Sequence, residues 1–153
     1  MRAPPRVRSS RGADVLTATD RTTKGSPMSR EEKNKALMRR WYDEMWANLA
    51  FEKIPELAGP TYTRHDVRGT RAVTAEEYRD ELLPMKEAWT ISDFKYFLMA
   101  EGDYVTAIGT WKINDQMQWD WVQTFRVEDG KLVETWLPAM ATEGRWALDE
   151  IPG

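Results

Sequence analysis

Residues 119–136 read W-D-W-V-Q-T-F-R-V-E-D-G-K-L-V-E-T-W. Large aromatic residues recur at alternate positions before an Asp-Gly pair. Asp129-Gly130 predicts a tight hairpin, because a type I′ turn requires positive φ at both central residues. Side chains two positions apart in a strand share a face, so before the turn one face carries Trp119, Trp121, Gln123 and Phe125. The stretch therefore predicts two antiparallel strands whose aromatic face contains a single amide, that of Gln123.

The sequence on both sides of this hairpin predicts a β-sheet. Turn signals at Glu101-Gly102-Asp103 and Asn114-Asp115 separate apolar runs with strand-like alternation. Four consecutive strands are predicted, at Ile91–Ala100, Tyr104–Ile113, Met117–Val127 and Lys131–Ala139.

The preceding part of the chain reads as mostly helical. The S-x-x-E and T-x-x-E patterns that begin at Ser29 and Thr74 are capping boxes and predict two helices. The first should run to about Asn48, and a short helical turn should follow at Phe51–Leu57. A short strand at Tyr62–Val67 lies between the helices. Helices that precede a curved antiparallel sheet predict an α+β domain with a conical pocket, spanning residues 28–153.

Composition limits the classes of function. The chain has 153 residues, 22 Lys and Arg against 25 Asp and Glu, a formal net charge of −3 and a pI near 5.3. This charge balance argues against nucleic acid or an anionic membrane as a partner. No run of residues reaches the ~20 apolar positions of a transmembrane helix. The absence of cysteine excludes thiolate sites and agrees with a cytoplasmic protein, and a single histidine argues against a zinc site of histidine ligands.

Residues 1–27 differ from the rest of the sequence. They are basic, contain two adjacent prolines and are rich in Ser, Thr and Gly, without apolar periodicity. Such composition predicts a disordered tail. A transit peptide or an over-long gene start, with Met28 as the initiator, are the alternatives.

Several of these segments resemble the NTF2-like superfamily and, within it, the SnoaL-like ester cyclase group. The first helix around Tyr42, the R-H-D triplet at 64–66, the E-G-D turn at 101–103 and the F-R-V-E-D-G-K-L-V-E-T-W run at 125–136 carry the resemblance, which covers roughly residues 29–140. The resemblance implies a cone of helices on a curved sheet, a homodimer formed through the outer face of that sheet, and a role in secondary metabolism. In polyketide cyclases of this group an aspartate acts two residues before the Phe-Arg pair, where this chain has Gln123. A histidine often precedes the last tryptophan, where this chain has Thr135.

Ketosteroid isomerases share the superfamily fold and suggest which residues form the site. Tyr42 and Asp66 lie at the interval that separates the tyrosine donor and the aspartate base of those enzymes, and Gln123 falls at the third position. The resemblance implies that Tyr42 and Gln123 donate hydrogen bonds to an enolate oxygen while Asp66, its pKa raised by aromatic surroundings, takes the proton. His65 is the alternative base, and within a regular strand only one of His65 and Asp66 can face the pocket.

We therefore expect a cofactor-free acid–base enzyme, of the cyclase, isomerase or dehydratase type, acting on a hydrophobic aromatic or polycyclic carbonyl compound. The substrate-binding wall would be formed by indoles: Trp46, Trp89, Trp111, Trp119, Trp121 and Trp136. The alternatives are a non-catalytic binding protein of the same fold and a dimerisation module with a filled core. A two-carboxylate epoxide hydrolase is disfavoured, because Gln123 stands where such a site would need an acid.

Overall fold

The computed structural model describes residues 27–147, 149, 151 and 152. The tail predicted for residues 1–27 therefore lies, except for its last residue, outside the described residues. No helix in the described part of the chain is long and apolar enough to cross a membrane.

Six helical elements occupy the first part of the described chain. α1 spans Arg30–Arg39 and continues as a π-helix at Arg40–Trp46; a 3-10 turn at Phe51–Lys53 leads into α2, Ile54–Leu57; α3 spans Ala75–Leu82 and α4 spans Met85–Ala88. Both predicted caps are present. Ser29 Oγ accepts from the N–H of Glu32 at 3.1 Å, and Thr74 and Glu77 form a complete capping box at the start of α3.

Six strands form one sheet in the order β2-β1-β6-β5-β4-β3. Their bounds are β1 Ala58–Asp66, β2 Gly69–Thr74, β3 Ile91–Glu101, β4 Tyr104–Ile113, β5 Met117–Glu128 and β6 Lys131–Trp136. All neighbouring pairs are antiparallel except β1 and β6, which run parallel. The sheet is thus mixed rather than antiparallel throughout, and together with the helices it gives the expected α+β architecture.

The strands differ from the sequence prediction in three respects. Strand β2 was not predicted, because it is short and largely exposed and shows no apolar alternation. Strand β1 begins earlier than expected, since Gly59-Pro60 does not end it; the pair, whose peptide bond is cis, lies where the β1–β6 register shifts. Proline is tolerated at such irregularities because no ladder hydrogen bond is required of it. Strand β6 ends at Trp136, two residues before Pro138, whereas it was predicted to continue to Ala139.

Both predicted tight turns have the expected backbone geometry. Asp129 and Gly130 have φ values of 50° and 74°, and Asn114 and Asp115 both have 54°. Positive φ at two successive positions is the mark of a type I′ hairpin. These turns fix the register of β4, β5 and β6, so that Trp119, Trp121, Gln123 and Phe125 share the inner face as predicted.

The π-helical continuation of α1 brings four large side chains against the sheet. Hydrogen bonds from residue i+5 to residue i include Ala47 N to Tyr42 O at 2.8 Å. Trp41, Tyr42, Met45 and Trp46 are all buried. The wider turn lets adjacent residues of one helix reach the core together, and π-turns of this kind often occur at functional sites.

The segment that follows β6 pairs with the sheet and is bound to it through Asp120. Ala141 forms a bridge with Asp120, on the part of β5 that β6 does not reach. The Asp120 carboxylate accepts hydrogen bonds from Thr110 Oγ1 at 2.8 Å, Gln118 Nε2 at 2.9 Å and the N–H groups of Arg145 and Trp146 at 2.7 and 3.0 Å. Burial alone would raise the pKa of Asp120, but these donors outweigh it and lower the pKa.

We expect Asp120→Asn to lower the free energy of unfolding by about 1.5–3 kcal/mol near pH 7, because an amide cannot accept from all four donors. A carboxyl group with a depressed pKa stabilises the folded protein above its unfolded pKa and loses that effect as the pH falls through its folded pKa. The difference between wild type and variant should therefore shrink below about pH 4 in urea titrations. Asp80→Asn, at a side chain that is 60% exposed, is the control and should show neither the loss nor its pH dependence.

Candidate active site

A cavity of about 450 Å³ opens between the helices and the inner face of the sheet. Most of its wall is aromatic or apolar, and its polar groups are concentrated in one cluster and one amide. The lining residues of the apolar wall are Trp46, Leu82, Met85, Trp89, Trp111, Trp119, Leu137 and Met140. A large apolar cavity with few polar groups is the usual form of a small-molecule site.

Gln123 presents its amide to this cavity, in a fixed orientation. The hydroxyl of Tyr42 donates to Gln123 Oε1 at 3.0 Å, and Gln123 Nε2 donates to Thr135 Oγ1 at 3.0 Å. Thr135 uses its own hydrogen on the carbonyl of Thr124, so its oxygen can only accept from Gln123. The NH₂ group must therefore point towards Thr135, and its second hydrogen has no hydrogen-bond partner among the described residues.

Tyr42 holds this amide and does not itself line the cavity. It is almost fully buried, and burial raises the pKa of its phenol well above the ordinary value. The hydroxyl group therefore stays protonated and remains a donor. Tyr42 acts through Gln123, which differs from the expectation that both would contact a ligand oxygen.

The polar end of the cavity is built around Arg64, which is only 9% exposed. Arg64 Nε donates to Asp66 Oδ2 at 3.2 Å and Nη1 donates to Tyr62 Oη at 3.3 Å. Its guanidinium carbon lies 4.4 Å from the centre of the Tyr78 ring, within the range of a cation–π contact. Burial by itself lowers the pKa of Arg64, but Tyr78, Tyr62 and Asp66 outweigh it and the pKa is raised, so the group stays charged.

A second ion pair, between Arg71 and Glu81, lines the cavity together with Arg64. Arg71 on β2 makes a bidentate contact with Glu81 on α3 through Nη1 and Nη2, and Arg68 in the β1–β2 turn lies 3.4 Å from the same carboxylate. The hydrogen bond from Arg71, together with the charges of Arg71 and Arg68, lowers the pKa of Glu81. Arg68, Arg71 and Glu81 all line the cavity.

Comparison with known proteins gives the family. The sequence profile of the SnoaL-like domain matches residues 38–135. The chain belongs to the SnoaL-like family. A comparison with curated protein sequences finds no match.

Solved structures with the same fold include proteins of several catalytic types. A proposed polyketide cyclase from Acidithiobacillus ferrooxidans superposes with a TM-score of 0.64 at 18% identity, over 74% of this chain and 92% of that one. A proposed ketosteroid isomerase from Kribbella flavida gives 0.60 at 17% identity, over 83% and 93%. An LEH-like epoxide hydrolase from M. tuberculosis gives 0.59 at 16% identity, over 71% and 85%. At these identities the likeness establishes the fold of this SnoaL-like chain and not its reaction.

The two candidate bases do not line the cavity of this SnoaL-like domain. Asp66 lies on the same face of β1 as Arg64, and its carboxylate is bound by that guanidinium and by the N–H of Arg68 at 2.9 Å. Burial would raise the pKa of Asp66, but these contacts lower it, which is opposite to the expected direction. The His65 ring lies on the outer face of the sheet, stacked 5.1 Å from Trp136.

Four of the six candidate tryptophans line the cavity: Trp46, Trp89, Trp111 and Trp119. Trp121 is instead part of the core, with its ring centre 5.0 Å from that of Tyr42. Trp136 lies on the outer face beside His65, because it follows Thr135 in the strand and so points the other way.

The cluster of Arg64, Arg68, Arg71 and Glu81 was not predicted as part of the site. Its members come from β1, the adjoining turn, β2 and α3, and β2 itself carried no sequence signal. Among the described residues, no group of three or more His, Cys, Asp or Glu side chains is arranged to hold a metal ion.

The Tyr42–Gln123 contact can be measured by a double-mutant cycle. Tyr42→Phe should lower the free energy of unfolding by about 1–3 kcal/mol, because it leaves the buried Gln123 Oε1 without a donor. Gln123→Leu should cost a similar amount through the loss of both its bonds. The double variant should lose less than the sum, because neither partner then leaves the other unsatisfied. Additive losses in urea titrations would show that the two side chains are not coupled.

Proposed function

We propose that this SnoaL-like protein is an enzyme that catalyses proton transfer next to the carbonyl group of a hydrophobic, aromatic or polycyclic compound, without a cofactor. Cyclisation, isomerisation and dehydration all proceed through such a step. The observation that supports the proposal most directly is the fixed amide of Gln123 in a cavity whose wall, apart from the charged cluster, is aromatic or apolar.

A fixed donor favours the charged state of a carbonyl oxygen over the neutral one. When a proton leaves the adjacent carbon, the electron pair moves onto the oxygen, which becomes an enolate. A donor already aimed at that oxygen stabilises the enolate without reorganisation, and loss of one such donor typically costs ~10²–10³ in rate. An amide donates at any pH, so no shifted acid is required at this position.

We assign the base to Glu81. Of the described residues that line the cavity, Glu81 is the one carboxylate. Its lowered pKa keeps it ionised at neutral pH, so it can take the proton from carbon and return it to the product. Asp66, the base suggested by resemblance, has a positioning role here because it fixes Arg64, whose charge adds to the stabilisation of the enolate.

A second candidate function, ligand binding without catalysis, is favoured by one observation. Both carboxylates at the polar end are already paired with arginines, which weakens them as bases. The aromatic wall and Gln123 would serve a binding protein equally well. Proton exchange separates the two functions, since a binding protein would bind a ketone and leave its α-protons in place.

The exchange of the α-protons of 2-tetralone in D₂O, followed by NMR, is a direct test. The wild-type protein should accelerate the exchange above the buffer rate, and Gln123→Leu should reduce the acceleration by about 10²–10³-fold. Tyr42→Phe should cause a smaller loss, because the amide remains but its orientation is no longer fixed. The matched controls are Gln116→Leu in an exposed turn and Tyr104→Phe on an exposed strand residue, and both should behave like wild type. Unchanged exchange in the Gln123 variant would refute the role of the amide.

The pH dependence of this exchange identifies the base. If Glu81 takes the proton, the rate should be level across neutral pH and fall only below the ordinary glutamate pKa of 4.5, because the pKa of Glu81 is lowered. A fall in rate that begins above pH 4.5 would count against Glu81 as the base. Glu81→Gln should remove the acceleration, whereas Glu76→Gln, at an exposed position of the same helix, should not. Circular dichroism at each pH checks that the fold persists.

A further inference from the structure

We propose that the ligand of this cavity carries a carboxylate group, which binds at the arginine cluster formed by Arg64, Arg68 and Arg71. The inference rests on the proposed function for the remainder of the ligand, and adds that the carbonyl substrate is an anion. A neutral polycyclic ketone would fill the aromatic wall but leave the arginine cluster without a partner in the ligand.

The charges at this end of the cavity do not balance. Three arginines face two carboxylates, Asp66 and Glu81, in the ion pairs described above. One positive charge is therefore in excess beside an apolar wall. Arg68 is 63% exposed and solvated, whereas Arg64 is only 9% exposed. An anionic group supplied by a ligand would therefore gain most from a charge-assisted hydrogen bond to Arg64.

Arg64 keeps an unpaired donor group where it lines the cavity. Asp66 and Tyr62 accept from its Nε and Nη1, and among the described residues its Nη2 makes no hydrogen bond. The unpaired N–H groups of Arg71 Nε, Trp111 Nε1 and Trp119 Nε1 have almost no accessible surface, so a ligand in the cavity does not reach them. The two hydrogens of Arg64 Nη2 match a ligand with acceptor oxygens, and a carboxylate has two such oxygens.

The arginine cluster lies beside the proposed catalytic amide. Arg64 on β1 is the register partner of Thr135 on β6, and Thr135 accepts the hydrogen bond of Gln123. Arg64 and Gln123 thus lie on the two strands that flank β6, and Gln123 reaches Thr135 diagonally, because the register partner of Thr135 on β5 is Phe125. One small molecule can reach both, with its carbonyl oxygen at Gln123, its carboxylate at Arg64 and its rings against the tryptophans. The inferred substrate class is an aromatic or polycyclic keto acid.

Calorimetric titration with two probes of the same shape tests the inference. Naphthalene-2-carboxylate should bind the wild-type protein about tenfold or more tightly than naphthalene-2-carboxamide, because charge-assisted hydrogen bonds exceed neutral ones. The preference should decrease with increasing salt. Arg64→Gln should bring the two affinities together while changing that of the amide little.

A second variant is needed because Arg64→Gln leaves Asp66 without its close partner, which is expected to destabilise the fold. Arg71→Gln, at a side chain that is 24% exposed, should also reduce the preference for the carboxylate. Arg126→Gln, on the outer face of β5, removes the same charge away from the cavity and is the matched control. Equal affinities in the wild type, absence of carboxylate binding, or a preference that persists in both cavity variants would overturn the inference.

The outcome is independent of the exchange experiment. 2-Tetralone has no carboxylate, so its exchange reports on Gln123 and Glu81 and not on the anion site. If the protein prefers the carboxylate but does not accelerate exchange, the anion site is supported and the proposed enzymatic function is refuted. If it accelerates exchange but does not prefer the carboxylate, the enzymatic function is supported and the anion site is refuted.

Discussion

The hydrogen bond from Tyr42 to Gln123 is the contact on which the site depends. It joins the π-helical turn to the centre of the sheet across the core, and with the Thr135 bond it sets the direction of the amide. Because Tyr42 is buried and its pKa is raised, the donor stays protonated in the physiological range. A helix and a strand that are 81 residues apart in sequence are thereby held in one relative position, and the cavity lies beside that contact.

The charged groups of the cavity are organised by ion pairs. Asp66 and Glu81 hold the guanidinium groups of Arg64 and Arg71 in place, and the rings of Tyr62 and Tyr78 pack against Arg64. Each carboxylate loses basicity through its pair, while each arginine gains a fixed direction. The same contacts that argue against Asp66 as a strong base therefore make the polar end suited to orient a ligand.

Much of the fold could be predicted from local signals. The turns at Asp129-Gly130 and Asn114-Asp115, the helix caps at Ser29 and Thr74 and the alternation along β5 each depend on a few neighbouring residues, and the structure has them as predicted, with a complete capping box at Thr74. The parallel β1–β6 pair depends on contacts distant in sequence, whereas the π-turn and β2 are local but gave no distinctive sequence pattern. The inward direction of Gln123 follows from strand alternation, whereas the arginine cluster could not be found, because a polar exposed strand such as β2 gives no pattern. The pair His65 and Asp66 illustrates the same limit. Strand alternation predicts that only one of these two neighbours faces the inner side of the sheet. It does not predict whether the residue on that side reaches the cavity.

The segment after β6 has a consequence for how such a protein diversifies. Leu137 and Met140 form part of the cavity wall, yet they belong to a stretch attached to the sheet by the bridge at Asp120 and the few bonds of its carboxylate. Substitution or lengthening of this stretch would reshape the chamber while leaving every strand register intact. Selectivity for ligand size can therefore change in evolution, or be redesigned, separately from the chemistry at Gln123.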